Sequence, residues 1–138
     1  MTAGAMAQKA VGVVIDGRCR DLAEHRDMGF PVFARGQSTV GQGGHTRPSA
    51  LNVPISIAPI ATVGYGFGEE NGEGFEPVNI QPGDMVVGDV DGVVCVPVGM
   101  VNEVIEKCRL GRAIDEKCME DIRGGKGVAA SFQLHRGK

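Results

Sequence analysis

Several features that often identify a protein's function are missing from this sequence. Its 138 residues contain no run of basic residues, and they carry a net charge of −3 with a pI near 5.6. Because binding to phosphate backbones needs a clustered positive surface, this composition argues against a nucleic-acid partner. The longest apolar runs are only as long as a strand, so the sequence predicts no membrane span.

The sequence also lacks the signals of secretion and of zinc binding. Residues 1–10 have neither the basic start nor the long apolar stretch of a signal peptide, so we expect a cytoplasmic protein. The cysteines Cys19, Cys95, Cys108 and Cys118 form no C-x-x-C motif and no paired spacing with histidine. We interpret them as reduced thiols, and not as ligands or nucleophiles: Cys95, Cys108 and Cys118 act as small buried hydrophobes, whereas the position of Cys19 beside Arg20 and Asp21 is compatible with exposure.

Two motifs that resemble ligand sites are incomplete. The glycine-rich segment at 65–77 has no clear helix start that could hold a phosphate, and it reads as a long loop. Asp89-x-Asp91-Gly92 lacks the remaining ligands of a calcium loop. Since Asp-Gly favours a tight turn, we predict a β-hairpin over 85–97 instead.

Hydrophobic periodicity predicts a mixed α/β domain. An alanine-rich helix at 3–10 precedes a buried strand at 11–16, a short helix from Asp21 to Met28 and a strand from Pro31 to Arg35. A bent edge strand is predicted between Asn52 and Val63. A long helix ends at Gly124-Gly125, and its apolar stripe consists of Val101, Val104, Ile105, Cys108 and Ile114. We expect the tail 126–138 to be loosely ordered.

The run GVVIDGRCRDLAE at 12–24 carries the candidate site. It places Arg20, Asp21 and Glu24 at a turn from a strand to a helix. The forked donors of arginine suit a planar carboxylate. The two carboxylates suit a hard divalent cation, which prefers a few carboxylate oxygens and keeps several waters. Together these side chains indicate a site for a small oxo-acid held on a metal.

A second interpretation of the same spacing is structural. Asp21 followed by Glu24 is also typical of a helix start, with Asp21 as the N-cap and Glu24 reaching back to its amide. Helix caps are far commoner than metal sites, so spacing alone favours the cap. The two roles are compatible.

Four segments together resemble a known family. GVVIDGRCRD at 12–21, GFPVFARG at 29–36, NVPI at 52–55 and QPGDMVVGDVDGVVCVP at 81–97 resemble, in this order, the class II pyruvate aldolases acting on 4-hydroxy-4-methyl-2-oxoglutarate. That family includes the regulator of ribonuclease E activity A, and fungal relatives that decarboxylate oxaloacetate. The similarity extends from about residue 4 to about residue 124.

The resemblance implies a swivelling β/β/α (RraA-like) fold. It places one aldolase domain over 1–125, with a Gly/Glu-rich insertion at 65–77, and it implies a homotrimer or hexamer. In relatives an upstream loop begins at a glycine and gives backbone amides to the substrate carboxylate. The matching position would fall before residue 1, so we expect an N-terminally truncated domain that is a poor enzyme by itself.

The resemblance also implies roles for the site residues. Asp21 would ligate Mg²⁺ or Mn²⁺ directly, Glu24 would hold a metal-bound water, and Arg20 would bind the 2-oxo acid. The implied reactions are aldol cleavage to pyruvate and decarboxylation of oxaloacetate, which share a metal-stabilised enolate. A glutamate from a neighbouring subunit completes the site in relatives, and Glu116 is our candidate within Asp115–Lys117, with Glu120 the alternative. Glu116 and Glu120 lie one turn apart, and for either residue alone a solvated helix face is the commoner explanation.

Two other functions remain open at this stage. The first is a noncatalytic, oligomeric binding protein that resembles the ribonuclease regulator and docks on a partner. The second is a phosphotransfer module on the same fold, for which His45 in GQGGHTRP is the candidate. We favour the lyase, since Arg20, Asp21 and Glu24 support it.

Overall fold

The computed structural model describes residues 1–58 and 76–137, and it divides the chain into two compact units, Met1–Cys95 and Val96–Lys138. Two short helices alternate with two strands at the start of the first unit, and further strands follow, so the mixture of helices and strands confirms the α/β class. Its elements are α1 (Thr2–Ala7), β1 (Val13–Cys19), α2 (Leu22–Asp27), β2 (Val32–Gln37), β3 (Ile55–Ile57), β4 (Val78–Ile80), β5 (Met85–Asp89) and β6 (Gly92–Val96), the last of which ends at the boundary between the units.

The first sheet is a parallel pair of strands, β1 and β2, joined through α2. Helix α2 ends as predicted, because Gly29 adopts a φ of +61° directly after it. The prediction of a buried strand is only half right. The strand forms, but Val13 and Val14 are 38% and 43% exposed, because a sheet of two strands covers little of its own faces.

Two further pairs of strands complete the first unit. β3 and β4 are antiparallel, and β5 and β6 form the predicted hairpin. At its turn the Asp91 N–H donates to the Asp89 carboxylate over 2.8 Å, and Gly92 has a φ of +147°. Of the strand predicted to end at Val63, only the part up to residue 58 is described, and β3 lies there. Of the insertion predicted at 65–77, residues 65–75 lie outside the described residues.

An open apolar groove of about 890 Å³ lies among the strands of this unit. Val14, Phe33, Ile57, Ile80, Val86 and Val94 are among the residues that line it. β5 approaches β2 closely here, since a Cβ atom on Gly88 would lie 2.7 Å from the Phe33 ring. Among the described apolar side chains, only Phe30 and Cys118 are buried. The remaining apolar strand residues are therefore half-buried or exposed.

The second unit contains two helices, α3 (Val101–Arg123) and α4 (Val128–Arg136). Helix α3 ends where the glycines predict, with a φ of +91° at Gly125. Cys108 is exposed, so its assignment to the buried stripe is wrong. The hydrogen bonds between α4 and α3 lie further along α3, at Asp115, Cys118 and Asp121. No helix within 1–58 and 76–137 is long and apolar enough to span a bilayer.

The tail predicted to be loosely ordered is instead the helix α4. Side-chain contacts hold α4 against the second half of α3. Arg136 pairs with Asp115, and the buried Ser131 hydroxyl donates to the Cys118 carbonyl over 3.5 Å. Asp121 accepts from Lys126 Nζ at 2.6 Å and from His135 Nε2 at 2.9 Å. These tertiary contacts order a segment whose local sequence signals neither a cap nor a long stripe.

Candidate active site at the end of β1

The candidate site begins directly after β1, where a bulge changes the course of the strand. The register shifts between Ile15 and Arg18, so that two residues of β1 oppose one residue of β2. Arg35, on the β2 side, pairs with Asp16 and donates from Nη2 to the Ala58 carbonyl over 2.6 Å. Bulges commonly redirect the side chains that follow them beside functional sites. Pairing with β2 resumes at Arg18 and Cys19, directly before Arg20 and Asp21.

Asp21 occupies the N-cap position of α2 in an unusual backbone conformation. Its φ and ψ are +63° and +36°, in the left-handed region, and its side chain makes no capping hydrogen bond. Asp21 is therefore the N-cap residue, as predicted, but its side chain does not make the capping hydrogen bond that a cap implies. Left-handed geometry costs an ordinary L-residue about 1–2 kcal/mol, with Asp among the more tolerant residues. Such strain often marks functional sites.

Arg20 and Asp21 form an exposed ion pair. The distance from Arg20 Nε to Asp21 Oδ2 is 3.3 Å, and the two side chains are 51% and 52% exposed. Gly41 lies against the guanidinium, since a Cβ on Gly41 would be 3.5 Å from Arg20 Nη1. An exposed pair of this kind contributes only about 0–1 kcal/mol. Ligands can therefore replace it at little cost.

Glu24 lies in the first turn of α2 and is exposed. Among residues 1–58 and 76–137, no three His, Cys, Asp or Glu side chains cluster as a complete metal site. Mg²⁺ commonly takes only one or two protein carboxylates and keeps its remaining waters. An uncapped Asp21 carboxylate with Glu24 one turn along fits that donor set, and the same oxygen ligands suit Mn²⁺.

Sequence reasoning missed His25, which contacts the same turn. Its Nε2 lies 2.7 Å from the Arg20 carbonyl oxygen, and its Nδ1 lies 2.6 Å from the Thr2 hydroxyl oxygen. Thr2 is 3% exposed. His25 follows Asp21 by one helical turn, and helical side chains lean toward the N-terminus, so its contact with the junction had a local signal. Thr2 lies 23 residues before His25, and no local signal in the sequence indicated that the two residues are in contact.

The remaining candidate residues are both exposed. Glu116 belongs to α3 in the second unit, where it is 71% exposed and lies 3.9 Å from Arg112. This placement suits a solvated helix face, and its role beside a neighbouring subunit stays a prediction. His45 follows a short 3-10 turn, Gln42–Gly44, and is exposed.

The thiols show no sign of activation. Burial raises the pKa of Cys95, and the nearby carboxylate of Asp84, 3.9 Å from the sulfur, raises it further. A raised pKa keeps the thiol protonated, whereas a nucleophilic cysteine needs the thiolate. Cys118 is buried and Cys19 half-buried. The predicted burial is therefore confirmed at Cys118, holds in part at Cys95, and is wrong at Cys108, which is exposed.

Comparison with known proteins finds relatives that match most of this chain. A putative 4-hydroxy-4-methyl-2-oxoglutarate aldolase of Halalkalibacterium halodurans is 33% identical over 105 residues, covering 76% of this chain and 41% of that protein. An uncharacterized protein of Methanocaldococcus jannaschii is 28% identical over 123 residues, covering 89% of this chain and 50% of that protein. The chain therefore spans about half the length, or less, of these relatives.

A solved structure and a protein-family model also match this chain. The crystal structure of an uncharacterized protein from Pseudomonas syringae pv. tomato superimposes with a TM-score of 0.75 at 29% identity, covering 95% of this chain and 56% of that one. The family model described as RraA-like, Aldolase/RraA, matches residues 1–95, a range that contains Arg20, Asp21 and Glu24 but not Glu116. The chain has the RraA-like α/β fold and belongs to the RraA-like (Aldolase/RraA) family.

Proposed function

We propose that this chain carries the site of a divalent-metal-dependent lyase of the pyruvate aldolase type. Its substrates would be 2-oxo acids such as 4-hydroxy-4-methyl-2-oxoglutarate, cleaved to pyruvate, and oxaloacetate, which it would decarboxylate. The observation that carries the proposal is Asp21, whose strained backbone supports no capping hydrogen bond and leaves its carboxylate exposed beside Arg20. The name of the relative from Halalkalibacterium halodurans supports the reaction class.

Arg20 is the group that would bind and orient the 2-oxo acid. Its guanidinium is half-exposed, and its donors can grip a carboxylate by two parallel hydrogen bonds. Gly41 lies beside the guanidinium, where a Cβ atom would be at ordinary contact distance, 3.5 Å from Nη1. Because its pair with Asp21 is weak, substrate binding can rearrange the two side chains without a large loss of stability.

Asp21 and Glu24 would hold Mg²⁺ or Mn²⁺, Asp21 directly and Glu24 through water. When bound, the cation supplies positive charge that stabilises the negative charge developing on the substrate's 2-oxo oxygen. The residues of the chain contribute position. Asp21 is fixed by the junction of β1 and α2, and Glu24 by the first turn of α2.

The direct test measures pyruvate release from both substrates with Mg²⁺, with Mn²⁺ and with EDTA. Reactions without protein, at the same metal concentration, correct for spontaneous decarboxylation. We expect metal-dependent release that Asp21→Asn abolishes. Asp27→Asn is the matched control, since it removes an exposed carboxylate from the same helix outside the site. Release by Asp21→Asn at the rate of the control would contradict the proposal.

A noncatalytic, oligomeric binding protein is the second candidate. The observation that favours it is the exposure of apolar strand residues, including Val86 at 42% and Val87 at 53%, which an assembly would cover. Both candidate functions are compatible with a trimer or hexamer. For the lyase, Glu116 of a neighbouring subunit would approach the metal-bound waters in that assembly. Light scattering measures the assembly. A stable oligomer without pyruvate release under any metal would favour this second candidate.

A further inference from the structure

His25 joins three separate parts of the chain at the candidate site. It lies on α2, it contacts the carbonyl of Arg20 at the end of β1, and it contacts Thr2 at the start of α1. A carbonyl oxygen can only accept, so the 2.7 Å contact requires a proton on Nε2. In the neutral ring Nδ1 then accepts from the Thr2 hydroxyl, whose oxygen is 2.6 Å away.

These two hydrogen bonds act on a strained turn. The Arg20 carbonyl belongs to the peptide group that leads into Asp21, whose backbone is left-handed. Such a conformation persists only where the surroundings hold it. Thr2, 3% exposed, gives the histidine a fixed anchor on α1, and the imidazole transmits that constraint to the Arg20 carbonyl.

We propose that His25 is a positioning residue, which fixes the Arg20-Asp21 turn so that both side chains face the same ligand. This inference rests on the proposed function for the identity of the ligand, but its geometric part does not depend on it. His25 itself touches neither substrate nor metal in this assignment. Its contribution is to hold a peptide group, in the way that outer hydrogen bonds orient metal ligands.

Hydrogen exchange on the metal-free chain tests the geometric part. The Ser38 amide donates to the Cys19 carbonyl over 2.8 Å, beside Arg20, whereas the Val13 amide donates to the Pro31 carbonyl over 3.0 Å at the other end of β1. We expect His25→Ala to accelerate exchange at Ser38 by at least about tenfold and to leave Val13 unchanged. Nitrogen NMR of the wild type should show the ring proton on Nε2. A ring without a proton on Nε2, or equal exchange at Ser38, would overturn the proposal.

Mn²⁺ binding, followed by electron paramagnetic resonance, tests the functional part. His25→Ala should weaken binding by about tenfold or more, and His25→Gln, which keeps a side-chain N–H, should recover part of the loss. Thr2→Val, which removes the hydroxyl, should weaken Mn²⁺ binding, and Thr2→Ser, which keeps the hydroxyl, should not. Ala23→Gln, on the exposed side of α2, is the control.

The outcomes of the two arms separate the two proposals. Faster exchange at Ser38 with unchanged Mn²⁺ affinity in His25→Ala would make the histidine purely structural and overturn the positioning role. Absence of Mn²⁺ binding by the wild-type chain would contradict the proposed function. In that case the exchange and tautomer measurements alone decide whether His25 holds the turn.

Discussion

Substitution of Asp21 by asparagine and by serine separates a strained functional residue from an ordinary helix cap. Asn, Asp and Ser are equally good N-caps, so a capping role predicts that both variants are as stable as the wild type. The structure predicts otherwise. Asp21 has a φ of +63° and makes no capping hydrogen bond, so tolerance of the left-handed region decides stability.

The magnitudes follow from this geometry. Asn shares the tolerance of Asp for left-handed backbone, so Asp21→Asn loses only its ion pair with Arg20, about 0–1 kcal/mol. Serine lacks that tolerance, and left-handed geometry costs an ordinary L-residue about 1–2 kcal/mol. We therefore expect Asp21→Ser to lie about 1 kcal/mol below Asp21→Asn in free energy of unfolding. Neither variant should show metal-dependent release of pyruvate.

Urea unfolding of the wild type and both variants, with pyruvate release measured on the same preparations, provides the assay. The comparison between Asn and Ser is internally controlled, because both remove the charge. Equal unfolding free energies in the two variants, with activity retained, would show that Asp21 is only a cap. That result would remove it from the site.

The remaining predictions concern the ligand, the groove and the helical unit. Arg20→Lys keeps the charge but loses the fork, so kcat/KM for oxaloacetate should fall by at least about tenfold, or roughly 1.4 kcal/mol, and unchanged kinetics would exclude Arg20. Gly88→Ala should lower the free energy of unfolding by about 1–3 kcal/mol, because its Cβ would meet an aromatic ring at 2.7 Å. In contrast, Gly43→Ala has open space and should change little in the same urea titration. The hydrogen bond from Lys126, and then that from His135, lowers the pKa of Asp121. A lowered pKa gives stability that is complete above the unfolded-state value of about 3.9 and is lost as the pH falls through the folded-state value. Asp121→Asn should therefore melt below the wild type at pH 7, and the two melting temperatures should converge on acidification toward pH 3.

Local signals predicted the parts of the fold whose cause is local. The Asp91-Gly92 turn, the end of α2 at Gly29 and the end of α3 at the glycine pair all depend on backbone freedom that specific residues supply. The helix α4 was missed because its order comes from contacts with α3, such as Arg136 with Asp115. Cys108 was misplaced for the same reason, since a stripe on a helix does not reveal how far its partner extends.

The sequence by itself determined which chemistry is available at the site. Directly after β1 come Arg20 and Asp21, and Glu24 lies in the first turn of α2. Their proximity therefore needs only the local turn from strand to helix. Their geometry was decided by tertiary structure. The structure shows the left-handed backbone of Asp21 and its missing cap, and it shows that His25 hydrogen-bonds both to the Arg20 carbonyl and to Thr2 in α1, a residue distant in sequence. Spacing along a chain fixes which residues are neighbours, whereas contacts between distant segments fix the direction in which their side chains point.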